Sequence, residues 1–458
     1  MTRAGEDGRV TSRFSLALMF GAIALAGCAD SSGPTSYARN VKAAADLKVK
    51  PAFQKKIAAA VDSTFGASPR DMKVPKGTVL WQGGVLLANT VVAEGITPKE
   101  GKPFKIVHKD GKETPIVGGY ALYRLHCMHC HGVSGDGGGP TAEFLWPKPR
   151  DYRLGMYKFT STASLKKPTR DDLRKTIMQG IDNTSMPAFH AQMKPDEIEQ
   201  VIDYVIFLST RGQDEYRLLD TVRDADEKDE EALSQEIIDE TLAAVLREWK
   251  DAGTLVVAPA TPRKPEPPKY AGDADAARGY RESVVRGRDL FLKLDCKDCH
   301  GVLAKGDGKS FVEKRVFDRI VFQMRPVDEV LEEEFERKLE HDGLADEAGA
   351  EGRKKREEAR KTFESQFRDA WKNSNDDWGN PLRPANLNLG VYKGGRRPID
   401  IYWRINKGIN GAKMPAHDLK PQELWDLVNF VLDLPFEPTL LKEVEDRPVQ
   451  PTAVAERK

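Results

Sequence analysis

Net charge is the first thing this 458-residue sequence lacks: 71 lysines and arginines balance 71 aspartates and glutamates. The balance gives no support to binding a polyanion such as nucleic acid through overall charge. Long apolar runs are also missing beyond the N-terminal segment, so no later stretch is suited to crossing a bilayer. Cysteine is scarce, at five residues, and each of the five has a use other than a disulfide. What is present, 40% hydrophobic and 31% charged residues, suits a globular chain with strongly polar segments. The length is too great for one ordinary core and implies two or three domains.

Arg3, Arg9 and Arg13 precede an apolar run from Phe14 to Ala26. A basic region followed by a short apolar stretch is the pattern of an export signal, and the stretch is too short for a comfortable transmembrane helix. It ends in Leu25-Ala26-Gly27-Cys28, which resembles the lipobox of bacterial lipoproteins. The resemblance implies a signal peptide over 1–27, cleavage before Cys28 and acylation of that cysteine, with several acyl chains giving a stable membrane anchor. A plain signal peptide, or a signal anchor with an incidental cysteine, is the alternative. The expected location is the periplasmic side of a bacterial membrane.

The other four cysteines form two pairs, each closed by histidine: Cys127-Met128-His129-Cys130-His131 and Cys296-Lys297-Asp298-Cys299-His300. C-x-x-C-H is the attachment signature of c-type haem. Two thiols one helical turn apart can add to the two vinyl groups on one porphyrin edge, and the adjacent histidine then points its imidazole at the iron. A zinc site would need further cysteines or well-spaced histidines, and no cysteine is left over. The expected cofactors are therefore two covalently bound c-type haems, each with its iron.

The halves repeat beyond these motifs. Gly119-Tyr120-Ala121-Leu122-Tyr123 precedes the first and Gly287-Arg288-Asp289-Leu290-Phe291 the second; glycine-rich loops follow at 132–137 and 301–308. Pro149-Arg150-Asp151-Tyr152 has its counterpart in Pro384-Ala385-Asn386-Leu387. Gly180-Ile181-Asp182-Asn183-Thr184-Ser185-Met186-Pro187-Ala188 aligns without gaps on Gly408-Ile409-Asn410-Gly411-Ala412-Lys413-Met414-Pro415-Ala416. Each is followed by a Lys-Pro helix start and an amphipathic stretch, near 196–208 and 422–433, where proline suits the first helical position.

This pattern resembles the class I cytochrome c family over roughly 115–210 and, with an interruption, 280–435. The resemblance implies that Met186 lies opposite His131 at one iron and Met414 opposite His300 at the other. Met324 and Met414 are the only methionines of the second half, which supports the second assignment. His190 and His417, just downstream of the methionines, and His126, His129 and His108 are the histidine alternatives. A thioether ligand raises an iron's potential relative to a second imidazole. The family also uses a proline after the haem loop whose carbonyl orients the proximal histidine. Pro140 fits that place, whereas Lys309-Ser310-Phe311 has none, leaving Pro381 or Pro384 as substitutes and two potentials that need not match.

The fold expected is mainly α, with two tandem cytochrome c-like haem domains and a charged helical insertion in the second. After the signal peptide come a lipid-anchored tether over 28–77 with one helix near 52–65, and a first haem domain over 78–212 that begins with short strands. An acidic helical segment and a proline-rich linker, extended and semi-rigid, occupy 213–275. The second haem domain spans 276–436 and a tail 437–458. The insertion, 312–375, reads as a charged helical hairpin projecting from the second domain, with Phe335, Leu339, Phe363 and Phe367 as a thin apolar stripe. It is either a solvated arm or a docking arm.

Electron transfer is the function these features imply, with redox proteins of a membrane respiratory complex as partners, no nucleic acid, and no catalytic residues. A dihaem oxidoreductase such as a peroxidase, with one displaceable distal ligand, is the enzymatic alternative. An assembly subunit is a third.

Overall fold

The computed structural model describes residues 36–80, 104–107, 113–116 and 118–441, apart from 227, 230, 270–272, 347, 348 and 438. The expected signal peptide, Cys28, His108, most of the stretch before the first C-x-x-C-H motif and the tail from 442 onward lie outside the described residues. The helices, in chain order, are α1 (Val41–Asp46), α2 (Pro51–Phe65), α3 (Gly119–His126), α4 (Met128–His131), α5 (Arg170–Gln179), α6 (Pro195–Thr221) and α7 (Gln235–Asp251). They continue with α8 (Ala274–Lys293), α9 (Cys296–His300), α10 (Lys314–Val321), α11 (Val327–His341), α12 (Gly349–Asn373), α13 (Pro398–Asn406) and α14 (Pro421–Asp433). The strands β1 (Phe104–Val107) and β2 (Glu113–Ile116) pair antiparallel, Phe104 opposite Ile116, in the region expected to hold short strands.

Each half is built on two crossing helices, α3 against α6 and α8 against α14. The crossings are close because a glycine sits at each. A methyl group on Gly119 would collide with the Gln200 carbonyl, and one on Gly287 with the Asp426 carbonyl. One turn further on, an aromatic ring fills the angle: Tyr123 lies 5.0 Å from Tyr204, and Phe291 5.5 Å from Phe430. The partner helices start alike. Glu197 accepts a hydrogen bond from the Lys194 backbone N–H (2.8 Å), and Glu423 from that of Lys420 (3.0 Å), each over a proline at the first helical position.

Helix α6 runs on through residues 212 and 213 to Thr221, so the acidic segment begins as its continuation. The segment then doubles back as α7, tied to α6 by Gln213 and Arg217 on the Glu248 carboxylate. Helix α2 packs Phe53, Ile57, Val61 and Phe65, spaced four apart, into the same core.

The proline-rich linker is docked on the second half. Its carbonyls at Val257, Thr261 and Pro265 accept from Trp403, Trp425 and Asn429 of α13 and α14, at 2.7, 2.9 and 3.0 Å. Proline removes backbone donors, which leaves carbonyls to be met by side chains. The charged insertion is not simply an arm projecting from the second half. Val312, Val316, Phe317, Ile320, Val330, Leu331 and Phe367 form a core of their own, and the expected stripe closes between α11 and α12, with Phe363 5.6 Å from Phe335 and 6.0 Å from Phe367. That core packs against the first half through Trp146, whose ring lies 5.9 Å from Phe317 and 5.4 Å from Phe322.

The two halves lie within one compact unit from Ser36 onward. Lys158 pairs with Asp376 (2.8 Å) and Lys175 with Asp400 (2.6 Å), and Lys407 donates to the Thr160 hydroxyl (2.7 Å).

Candidate cofactor sites

Helix α3 ends at Cys127, and the chain winds at once into α4. The N–H groups of Cys130 and His131 both return to the Cys127 carbonyl, at 3.1 and 2.9 Å. This single tight turn puts Cys127, Cys130 and His131 on the wall of one cavity of about 440 Å³, and Met186 lines it too. That volume is in the range of a cofactor pocket. His131 stacks on Tyr152 (4.8 Å), and its Nδ1 meets the Arg150 carbonyl at 3.2 Å. With Nδ1 so engaged, Nε2 is the nitrogen available to a metal. Burial pushes the imidazole down to about 4, the Arg150 carbonyl pulling the other way, so the ring is neutral at ordinary pH and can act as a ligand. Burial pushes the Cys127 thiol up to about 12, so it is a neutral thiol at ordinary pH.

The second site repeats this geometry. Cys296, Cys299 and His300 occupy the single turn of α9, and His300 Nδ1 meets the Ala385 carbonyl at 3.0 Å. Burial lowers His300 and raises Cys296 to about 11. The loops agree bond for bond. Gly137 N–H donates to the His131 carbonyl (3.0 Å) as Gly306 does to His300 (2.7 Å), and Gly139 to Cys130 (3.1 Å) as Gly308 does to Cys299 (3.2 Å). Gly132 and Gly301, at φ of 76° and 81°, make the left-handed turn out of each motif.

The expected role of Pro140 is overturned. The stretch before it is bound to Cys130 through Gly139, and the carbonyl at His131 belongs to Arg150, after Pro149. Its counterpart in the second half is the carbonyl after Pro384. The second half therefore has its own proximal carbonyl, and both proximal histidines are oriented by the same aligned position.

The methionine loops match as well. Ile181 N–H donates to the Met186 carbonyl and Ile409 N–H to the Met414 carbonyl, both at 3.1 Å. Gly180 and Gly408 lie so close to those carbonyls that a Cβ on either would stand 2.6 Å away. Met186 packs against the core of the first half, and Met414, like Cys296, against that of the second. Of the histidine alternatives, His190 is exposed with Nδ1 3.0 Å from the Met178 carbonyl; His417 is half-buried, its backbone N–H on the Ile405 carbonyl (3.1 Å); and His126 and His129 line the first cavity. Met324 is 86% exposed.

Sequence reasoning missed one wall of the first cavity. Asp376, Asn380, Pro381, Leu382, Arg383 and Lys393, all from the second half, close it. Arg150 lies on this seam, its guanidinium 3.7 Å from the centre of the Trp378 ring, and its Nη1 is buried with no hydrogen-bond partner. An orphaned guanidinium nitrogen in a cavity lined also by Lys158, Arg383 and Lys393 fits the carboxylates of a haem. The two thiols, imidazole and thioether fit its vinyl edge and iron. Among the described residues no group of three or more His, Cys, Asp or Glu gathers as a bare metal site, and the four motif cysteines are free thiols. A haem bound here would supply a one-electron couple at its iron.

Residues 115–205 match the family described as cytochrome c oxidase, cbb3-type, subunit III, and residues 284–435 match the cytochrome c family. No curated protein matches the chain. A chain of the Kuenenia stuttgartiensis reducing HAO-like protein complex is similar at 22% identity and a TM-score of 0.40, over 69% of this chain and 94% of that one. The two family matches coincide with the two repeated sites: the chain carries two cytochrome c domains in tandem, which imply c-type haem and its iron.

Proposed function

We propose that the chain is a dihaem c-type cytochrome that passes electrons one at a time through two six-coordinate irons. Cys127 and Cys130 attach one haem, ligated by His131 and Met186; Cys296 and Cys299 attach the other, ligated by His300 and Met414. The observation that carries this reading is the sameness of the two sites. Loop, proximal carbonyl and methionine loop repeat bond for bond, so neither iron is set apart for a substrate. Protein groups would hold each haem edge and set its potential, with no acid or base required. Cys28 as a lipid anchor on the periplasmic side of a bacterial membrane, and a membrane respiratory complex as redox partner, complete the proposal on the strength of the N-terminal sequence.

Haem counted chemically on purified protein, with carbon monoxide added to the fully reduced form, tests this. Two haems per chain that both refuse carbon monoxide are expected. One haem that binds it readily would replace the carrier with an oxidoreductase acting on a small oxidant.

A further inference from the structure

Trp378 stands where the two sites meet. One face of its ring covers the Arg150 guanidinium, 3.7 Å from the ring centre. Arg150 belongs wholly to the first site: its carbonyl orients His131, and its side chain lines the first cavity. The far edge of the same ring lies against Gly411, so closely that a Cβ there would fall among the ring carbons; φ of 66° at Gly411 already favours glycine. Gly411 is in the Met414 loop. Its carbonyl accepts from the Asp377 N–H (3.0 Å), and Lys413 pairs with the Asp377 carboxylate (3.1 Å). Trp378 Nε1 is buried with no hydrogen-bond partner, so the ring is placed by packing, with Lys158 Nζ also 5.8 Å from its centre, and not by a bond of its own.

The Met414 loop is also clasped by the first domain. Asn410, 2% exposed, donates from Nδ2 to the Tyr157 carbonyl (3.0 Å) and accepts at Oδ1 from the Leu165 N–H (2.9 Å). Two backbone groups of the first domain thus hold the residue that precedes Gly411 in the second domain's methionine loop.

We propose that Trp378 is a positioning residue shared by both haems, which ties their potentials together. This rests on the two-haem carrier reading. Its stacking fixes the Arg150 cation beside the first haem, where a buried charge weighs heavily on an oxidation that adds positive charge. Its edge sets the Met414 loop, and through it the iron–thioether contact of the second haem.

The test is potentiometric titration of the full holoprotein with the near-infrared methionine–iron band recorded, for Trp378→Leu, Trp378→Phe and Asn410→Ala. Trp378→Leu is expected to shift both midpoints and to weaken the methionine band of the second haem. Trp378→Phe, which keeps a ring over Arg150, is expected to shift both by less, and it carries the test should the leucine variant not fold. Asn410→Ala is expected to move the second midpoint alone. Two attached haems of which one midpoint or neither moves in the Trp378 variants would overturn this proposal and leave the carrier reading standing. Fewer than two haems in the unaltered protein would overturn both.

Discussion

At the scale of residues, each candidate site joins side chains of covalent or ligating chemistry to a backbone carbonyl that orients the histidine. Two C-x-x-C-H motifs and two gap-free Met-Pro loops marked Cys127, Cys130, His131, Met186 and their counterparts, and the structure brings the first set onto one cavity wall. The groups that orient them were hidden, because a backbone carbonyl has no residue type. Arg150 and Ala385 share nothing in side chain, and only their carbonyls act on the histidines. Met414→Ala is expected to lower the second haem's midpoint, leave the first nearly unchanged, and open one iron to carbon monoxide; an unchanged titration would remove the ligand assignment. A second prediction concerns Asp214, 1% exposed, with Oδ1 unpartnered. Burial pushes its carboxyl up to about 7. The folded protein then holds a proton that the unfolded chain has lost between pH 4 and 7, so stability falls as pH rises through that window. Asp214→Asn is expected to be about 1–3 kcal/mol more stable than the unaltered protein at pH 8, a gain that vanishes toward pH 4, by urea unfolding at each pH.

At the scale of elements, helices announced themselves through prolines and apolar spacing, and α2 and α14 lie where a helix is expected. Function in the linker and the insertion was less legible. Composition says that 259–268 is extended, yet only the tryptophan and asparagine side chains of α13 and α14 decide that it is docked. Charge along α11 and α12 says solvated helix, while Phe317 decides the contact with Trp146. Two glycines in α8 give a paired prediction. Gly287→Ala would press on the Asp426 carbonyl and is expected to cost about 1–3 kcal/mol in guanidinium unfolding. Gly279→Ala, with open space around it, is expected to stabilise by about 0.5–1 kcal/mol through helix propensity. Equal effects would mean that the α8–α14 crossing is not as close as described.

At the scale of the whole molecule, tandem domains were readable from the repeat, and their fusion was not, since it depends on pairs far apart in sequence. Lys175 and Asp400, or Asn410 and Tyr157, carry no mark of each other. Asp400 is almost fully buried and shares its carboxylate between Lys175 and Arg397. Lys175→Met is expected to cost about 1–3 kcal/mol, less than a fully isolated buried ion pair because Arg397 remains. Thermal unfolding followed at both haems should show one shared transition in the unaltered protein. It should separate into two in this variant if the seam is what couples the halves.

The wall that residues 376–393 give to the first cavity bears on how the protein is made. A chain is synthesised from its N-terminus, so Cys127, His131 and Met186 all exist well before Asp376 or Arg383 does. The first pocket therefore gains one of its walls only from the last third of the chain. A chain cut short before residue 376 would present its first cofactor pocket with one wall missing.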